Sequence, residues 1–250
     1  MNAVIETAAQ SSEAPTTAME PSVIRTTGVG KSIDGRTILR DVSFNISAGQ
    51  LVAVLGANGT GKSTLLKVLS TLVPPSSGQV ELFGQIATAT SADLRRRIGL
   101  IGHQSMLYRD LSACENLEFF AKLYDVANPS SRATQMLDMI GLSDRSRDPV
   151  RTFSRGMVQR VAIARALLHD PELILADEPF AGLDAPSIDA LEHLLSDLKE
   201  AGKTILLVNH DIEQSLRIAD HAIVLRGGRV AIDQPTHRLY EREVLSEGRS

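Results

Sequence analysis

Residues 51–64 read LVAVLGANGTGKST, an apolar run followed by a glycine-rich segment that ends in a lysine and two hydroxyl residues. The run Leu51–Leu55 has the length and unbroken apolar character of a strand buried on both faces of a sheet. The next residues fit the pattern G-x-x-x-x-G-K-S/T, which joins a strand to a helix. They are Gly56, Ala57, Asn58, Gly59, Thr60, Gly61, Lys62, Ser63 and Thr64. With a helix predicted over residues 62–72, this strand–loop–helix unit favours an α/β fold.

The glycine-rich segment has the chemistry of a phosphate-binding loop. Its glycines let the backbone curl so that successive N–H groups point at one anion. A helix that begins near Gly61 adds the positive end of its dipole. Lys62 supplies a cation for the β and γ phosphates, and Ser63 offers a hydroxyl to Mg²⁺. A chance match is the alternative, but the strand before it and the helix after it are the required context, so the segment predicts nucleotide binding.

The rest of the chain alternates apolar runs with helical patterns. Further runs predicted as strands are Ile98–Ile101, residues 173–176, Thr204–Val208 and residues 222–225. Further helices are predicted over residues 112–124, 131–140, 154–169 and Ala185–Glu200. Such alternation is typical of a mainly parallel sheet with helices on its faces.

Some regions depart from this alternation. Residues 105–169 show helical patterns without a convincing strand, which predicts a helical subdomain inserted into the α/β core. Residues 22–46 read as short strands joined by the turn Asp34-Gly35 and suit an antiparallel edge sheet. Residues 1–20 are predicted as a mobile tail and residues 241–250 as a polar one. One domain is therefore expected to span residues 21–240.

Composition narrows the classes of function. The chain of 250 residues is 43% hydrophobic and 22% charged, which is ordinary for a globular domain. Its one cysteine, Cys114, excludes an intrachain disulfide. A net charge of −4 argues against nucleic acid as a partner, because nucleic-acid binders usually carry a basic face. No run approaches the roughly 18 apolar residues of a membrane span, so any membrane role is expected to come through a partner.

Two carboxylates follow an apolar run in LILADEP, residues 173–179. Ligands of open α/β sheets bind beyond the carboxyl ends of the strands. Asp177 is therefore expected to hold Mg²⁺, through water because Mg²⁺ dehydrates reluctantly. Glu178 lies one residue further on and could polarise the attacking water as a general base. The alternative, a solvated acidic turn, loses weight beside the phosphate loop.

The segment FSRGMVQR, residues 153–160, resembles the signature of the ATP-binding-cassette (ABC) transporter ATPases, usually written LSGGQ followed by a basic stretch. Ser154 is a helix N-cap candidate and Gly156 allows close backbone approach, so the segment has the character of an anion site. A plain helix cap is compatible with that role. Arg155 replaces the usual first glycine and Met157 the usual glutamine, which we expect to alter contacts there without abolishing function.

The resemblance extends over about residues 22–235 and implies further site residues. Gln104 resembles the Q-loop glutamine near Mg²⁺ and the attacking water, and Asp184, in AGLD, belongs to the D-loop at the dimer interface. His210 resembles the switch histidine that contacts the γ-phosphate. At the position where the family usually stacks an aromatic residue on adenine stands Ile33, which could cover the base or simply pack.

The resemblance implies a P-loop NTPase core that binds and hydrolyses ATP with Mg²⁺. It also implies that two such chains form a homodimer and sandwich two ATP molecules beneath an integral membrane subunit, at the cytoplasmic face of the membrane. The signature variant looks like those of haem exporter subunits in cytochrome c biogenesis, and drug or antibiotic exporters share similar variants. A soluble cassette ATPase is an alternative, although such proteins usually carry two cassettes or a long coiled coil. A regulatory protein that does not hydrolyse ATP would be expected to lack Glu178 or His210.

Overall fold

The computed structural model describes residues 22–88, 90–102 and 104–245. Its strands are β1 (Ser22–Ile33), β2 (Arg36–Ser47), β3 (Leu51–Leu55), β4 (Ser77–Leu82), β5 (Gln85–Ile86), β6 (Ile98–Ile101), β7 (Leu173–Asp177), β8 (Thr204–Val208), β9 (His221–Arg226) and β10 (Arg229–Pro235). Its α-helices are α1 (Lys62–Leu69), α2 (Ala92–Arg96), α3 (Ala113–Leu123), α4 (Pro129–Met139), α5 (Arg155–Leu167), α6 (Ala185–Glu200), α7 (Ile212–Ile218) and α8 (Glu241–Leu245). The predicted N-terminal tail, residues 1–20, lies outside the described residues.

The larger sheet has the strand order β10-β9-β3-β8-β7-β6. All its pairings are parallel except the hairpin of β9 and β10. Strands β3, β7 and β8 are buried along their whole length, which confirms the α/β prediction drawn from their unbroken apolar runs. Because parallel strands end at one edge of a sheet, the residues after β3, β6, β7 and β8 meet there.

Alternate residues of the central strands supply two separate cores. Leu51, Ala53 and Leu55 of β3 belong to the cluster shared with α3 to α6. Val52 and Val54 belong to the cluster shared with α1 and the smaller sheet. The sheet is therefore covered on both faces, which holds the ends of its strands in fixed positions.

The smaller sheet, of order β2-β1-β4-β5, is antiparallel throughout. Strands β1 and β2 form a hairpin whose turn residues Asp34 and Gly35 have positive φ angles of 48° and 74°. The predicted antiparallel edge sheet is thus confirmed, and β4 and β5 are additional members. Leu39 of β2 lies where a side chain at Gly61 would have to stand, so this sheet abuts the glycine-rich loop.

Between β6 and β7 the described residues fold as helices α3, α4 and α5, with short 3₁₀ turns and an isolated bridge from Ser112 to Pro149. A capping box begins α3: Ser112 Oγ accepts from the backbone N of Glu115, whose carboxylate accepts from the backbone N of Ser112. The helical insertion agrees with the predicted fold class. Its limits, residues 105–169, remain a prediction.

Two predicted segments differ from the structure by more than two residues. The helix predicted over residues 62–72 ends at Leu69, because Thr71 adopts a left-handed φ of 60° that a helix cannot contain. In the segment predicted as a polar tail, residues 241–250, the first five residues form α8, and Val244 is buried against the larger core. The apolar side chain of Val244 accounts for that difference.

Candidate nucleotide site

The glycine-rich loop connects β3 to α1 in a conformation that only glycine permits at two positions. Gly56 has a φ of 141°, and a Cβ there would lie 2.3 Å from the carbonyl oxygen of Leu225. Gly61 has a φ of 104°, and its Cβ would lie 2.7 Å from a methyl group of Leu39. Neighbouring strands therefore close on the loop, so the two glycines fix its curl.

Lys62 is buried at the start of α1, and its ammonium lies inside the curl. Nζ donates to the carbonyl oxygens of Gly56 and Ala57 at 2.7 and 3.0 Å. Burial lowers the pKa of Lys62, while the nearby carboxylates of Glu178 and Asp177 act to raise it. An anion in the loop would stabilise the charged form of this lysine, so its environment fits a phosphate.

Ser63 and Asp177 meet across the end of the sheet. Ser63 Oγ donates to Asp177 Oδ1 at 3.1 Å, and Asp177 is the buried last residue of β7. Both residues border a cleft of about 450 Å³ that is also lined by Gln104, which is exposed after β6. The structure thus gathers the three residues predicted for Mg²⁺, and their oxygen atoms are the ligands that Mg²⁺ prefers.

Glu178 and His210 are also brought together, although 32 residues separate them. Glu178 adopts a left-handed φ of 54°, and its backbone N donates to the carbonyl oxygen of Val208 at 2.8 Å. Its carboxylate Oε2 lies 2.5 Å from His210 Nδ1. The carboxylate therefore leans towards β8, so the two side chains face one another beyond the ends of neighbouring strands.

The signature residues form a second surface, at the start of α5. Ser154 is the N-cap of this 13-residue helix, and its exposed Oγ accepts from the backbone N of Met157 at 3.3 Å. A Cβ on Gly156 would lie 3.3 Å from the carbonyl oxygen of Gly182, so the helix start rests on the D-loop. In the described part of the chain, no hydrogen bond joins Ser154 to the phosphate loop.

The D-loop is held by contacts within this same chain. Asp184 caps α6 by accepting from the backbone N of Ser187 at 3.2 Å, and hydrogen bonds from the side chain and the backbone of Ser187 lower the pKa of its carboxyl. The side chain of Arg155 lies over Gly182, where an added Cβ would come within 2.7 Å of it. The departure at position 155 therefore adds a contact between the signature helix and the D-loop.

Ile33 ends β1 at the hairpin and is 46% exposed. From this hairpin β2 runs to Ile38 and Leu39, which touch the position of Gly61. An exposed apolar side chain on that strand pair suits a base as well as a packing role, so its contact with adenine stays a prediction.

Sequence patterns gave no signal for Asn209 and Gln214, two buried amide side chains beside His210.

Comparison with known proteins identifies the family to which these features belong. Residues 39–181 match the model of the family described as "ABC transporter". The chain belongs to the ABC transporter family, and the arrangement above is that of an ABC ATPase cassette.

Several relatives are similar over most of the chain. The ABC transporter ATP-binding protein NatA of Bacillus subtilis is 38% identical over 208 residues, 82% of this chain and 85% of the relative. The linearmycin resistance ATP-binding protein LnrL of the same organism is 33% identical over 86% of this chain and 70% of its own length. The taurine import ATP-binding protein TauB of Roseobacter denitrificans is 38% identical over 77% of this chain and 72% of its own.

Among solved structures, the dimeric post-hydrolysis state of the ATP-binding cassette MJ0796, bound to ADP and Pi, superposes with a TM-score of 0.78. It is 31% identical, and the match covers 85% of this chain and 98% of that one. Cassettes of this family bind ATP with Mg²⁺, form dimers and pair with membrane subunits. Among the described residues no helix is long and apolar enough to cross a membrane.

Proposed function

We propose that this chain hydrolyses ATP at the cytoplasmic face of a membrane and thereby energises export through a separate membrane subunit. The observation that carries the proposal is the contact of Glu178 with His210 beside the Ser63–Asp177 pair. A carboxylate, an imidazole and a set of Mg²⁺ ligands thus meet next to a phosphate-binding loop. These groups together are suited to the hydrolysis of a γ-phosphate.

In the proposed mechanism, the backbone N–H groups of residues 56–64 and the ammonium of Lys62 hold the β and γ phosphates. Ser63, Asp177 (through water) and Gln104 would hold Mg²⁺, which would neutralise negative charge on the phosphates. Glu178 polarises the attacking water as a general base, and His210 orients Glu178 and contacts the γ-phosphate.

The remaining site residues act across the dimer. Ser154 and the N–H groups near Gly156 face the γ-phosphate held by the second copy, and Asp184 lies at the interface between the copies. The exposure of Ser154 supports this assignment, because a helix N-terminus that meets no anion in its own chain is free to meet one from another. In this proposal Ile33 covers the adenine ring of the nucleotide bound by its own chain.

An exposed aromatic patch supports a membrane partner. Tyr108 and Phe119 meet edge to face at 5.2 Å, and Phe120 lies 6.3 Å from Tyr108. Both backbone polar groups of Tyr108 bond to the side-chain amide of buried Asn116, so the loop after Gln104 is fixed. An ordered apolar surface of this kind usually marks a protein interface, and its place beside Gln104 would couple docking to the nucleotide site.

The transported substrate is determined by the membrane subunit, so this chain indicates only the class of transporter. Export is supported by the signature variant of residues 153–160 and by the resistance function in the name of LnrL, whereas TauB is named for import. Haem export remains the narrower prediction and rests on the signature variant alone. An exporter of drugs or antibiotics is the second candidate, because a resistance protein stands among the relatives.

The test is purification of this chain together with its membrane subunit. Tyr108→Asp should leave ATP binding by the isolated chain intact but reduce the amount of membrane subunit that co-purifies, because it places a charge in the aromatic patch. Tyr240→Asp is the matched control, since Tyr240 is a tyrosine 63% exposed elsewhere, against 52% for Tyr108. Equal co-purification of all three proteins would refute the docking surface. Vesicles that hold the purified complex then show whether haem or an antibiotic is moved, and in which direction.

A further inference from the structure

A chain of buried hydrogen bonds connects α6 to the backbone of His210, and none of the roles proposed above uses it. The backbone N of His210 donates to Asn209 Oδ1 at 3.0 Å. Asn209 Nδ2 donates to Gln214 Oε1 at 2.9 Å, and Gln214 Nε2 donates to Glu192 Oε1 at 2.8 Å. Asn209 and Gln214 are only 2% and 8% exposed. Both amides are thus largely removed from water and depend on each other for partners.

The direction of this chain is fixed from its outer end. An ionised carboxylate only accepts hydrogen bonds, and Glu192 also accepts from Arg217 Nη2 at 2.6 Å. Gln214 must therefore turn its Nε2 towards Glu192, which leaves its Oε1 for Asn209. Asn209 must then offer Nδ2 to Gln214 and keep Oδ1 for the backbone of His210. Reversal of either amide would bring two donors or two acceptors together.

The histidine ring itself has little other support. Its side chain is 68% exposed, so packing does not hold it. Among the described residues its ring makes one hydrogen bond, from Nδ1 to Glu178. The position of the ring therefore depends on the backbone that carries it.

We infer that Glu192, Gln214 and Asn209 are positioning residues, which hold the backbone of His210 so that its ring meets Glu178. This inference rests on the proposed role of His210 in hydrolysis. Neither Glu192 nor Gln214 has a place in the nucleotide site itself. Their effect is therefore expected on the rate of the chemical step and not on the affinity for ATP.

The experiment uses the purified full chain and measures kcat and KM for ATP. Gln214→Leu removes the hydrogen bonds to Asn209 and Glu192 while it keeps a side chain of similar size. It should lower kcat about tenfold, because small misplacements of a reacting group are costly. KM should stay within about twofold. In a His210→Ala protein, the same Gln214→Leu change should lower kcat no further, since there is no ring left to place.

Glu192→Gln provides a second variant that preserves volume. It replaces the carboxylate with a neutral amide oxygen, which is a weaker acceptor for Gln214 Nε2, and should lower kcat by about threefold, again only when His210 is present. Glu213→Gln, at an exposed position of α7 next to Gln214, is the control and should behave as the unaltered protein. If Gln214→Leu fails to fold, Glu192→Gln decides the question by the same double-variant comparison.

The outcomes distinguish a failure of the positioning role from a failure of the role proposed for His210. Unchanged kcat in Gln214→Leu and Glu192→Gln, with slow His210→Ala, would overturn the positioning role alone. An equal loss of kcat with and without the His210 ring would also overturn it, because the network would then be merely structural. Normal turnover of His210→Ala would refute the role of the histidine and the inference with it.

Discussion

The phosphate loop and the start of the signature helix are both proposed to meet phosphate, yet their side chains are hydrogen-bonded differently. In the loop, Lys62 bonds to the carbonyl oxygens of its own curl and Ser63 bonds to Asp177. At the signature, Ser154 is exposed, and among the described residues its Oγ bonds only within its own helix. The first is a complete half-site inside the fold, and the second is a surface. We therefore expect each chain to supply the phosphate-loop half of one nucleotide site and the signature half of another.

The strongest test within the complete half is Glu178→Gln. The amide keeps the shape of the side chain but cannot accept a proton, so kcat should fall by about 10²–10⁴-fold while ATP still binds. The variant should also accumulate as an ATP-bound dimer, which gel filtration with and without ATP would show. Near-normal turnover would remove Glu178 from the mechanism.

Complementation tests the division into halves directly. Lys62→Ala damages the phosphate loop and Ser154→Ala the signature, so each variant alone should hydrolyse ATP poorly. In a mixed dimer one composite site keeps Lys62 from one chain and Ser154 from the other. Random mixing in equal amounts should therefore restore about a quarter of the normal rate if the sites act independently.

The control for complementation is each variant at the same total concentration without the other. Recovery only on mixing would establish that the two elements act across an interface. Full activity and ATP-driven dimerisation in Ser154→Ala alone would show that the exposed helix start has no phosphate to meet.

Parts of the site also differ in how well they could be predicted from the sequence. The phosphate loop is nine adjacent residues and the two carboxylates follow an apolar run, so local pattern and strand geometry predicted them, whereas His210 was implied by the family resemblance. The hydrogen-bonded partners Gln214 and Glu192 lie 22 residues apart on different helices. No local pattern distinguishes such an amide from a solvated one. The early end of α1 depended on the φ of Thr71, which helical composition does not reveal.

The stability of the helical region is expected to depend on pH. His169 stacks on Tyr124 just beyond α5, and burial lowers its pKa despite a hydrogen bond to the carbonyl oxygen of Ile98. The unfolded chain, with an ordinary histidine pKa of about 6.5, then binds more protons than the folded one. The free energy of unfolding should therefore fall as pH drops through that value towards the lower pKa of the folded state.

Urea titrations at neutral pH and at about pH 5.5, below the ordinary histidine pKa, would measure this effect. His169→Phe keeps the ring stack on Tyr124 but cannot take up a proton, so its loss of stability on acidification should be smaller than that of the unaltered chain. An equal loss in both proteins would assign the acid sensitivity to other groups.

The smallest expected effect concerns the base. Ile33 is apolar and exposed at the end of the hairpin whose second strand touches the phosphate loop through Leu39, but it has no aromatic face for adenine. Ile33→Tyr should tighten ATP binding by up to about 1 kcal/mol, because a stacked ring adds contact area and aromatic attraction. The gain should be smaller for nucleotides with a pyrimidine base, and calorimetric titration with ATP and CTP would compare them. Ile86→Tyr, at an exposed isoleucine on another strand of the same sheet, is the control and should leave both affinities unchanged. If Ile33→Tyr behaves like this control, Ile33 does not lie over the base. The phosphate loop and its partners would then bind the nucleotide through its phosphates, without a contact from Ile33 to adenine.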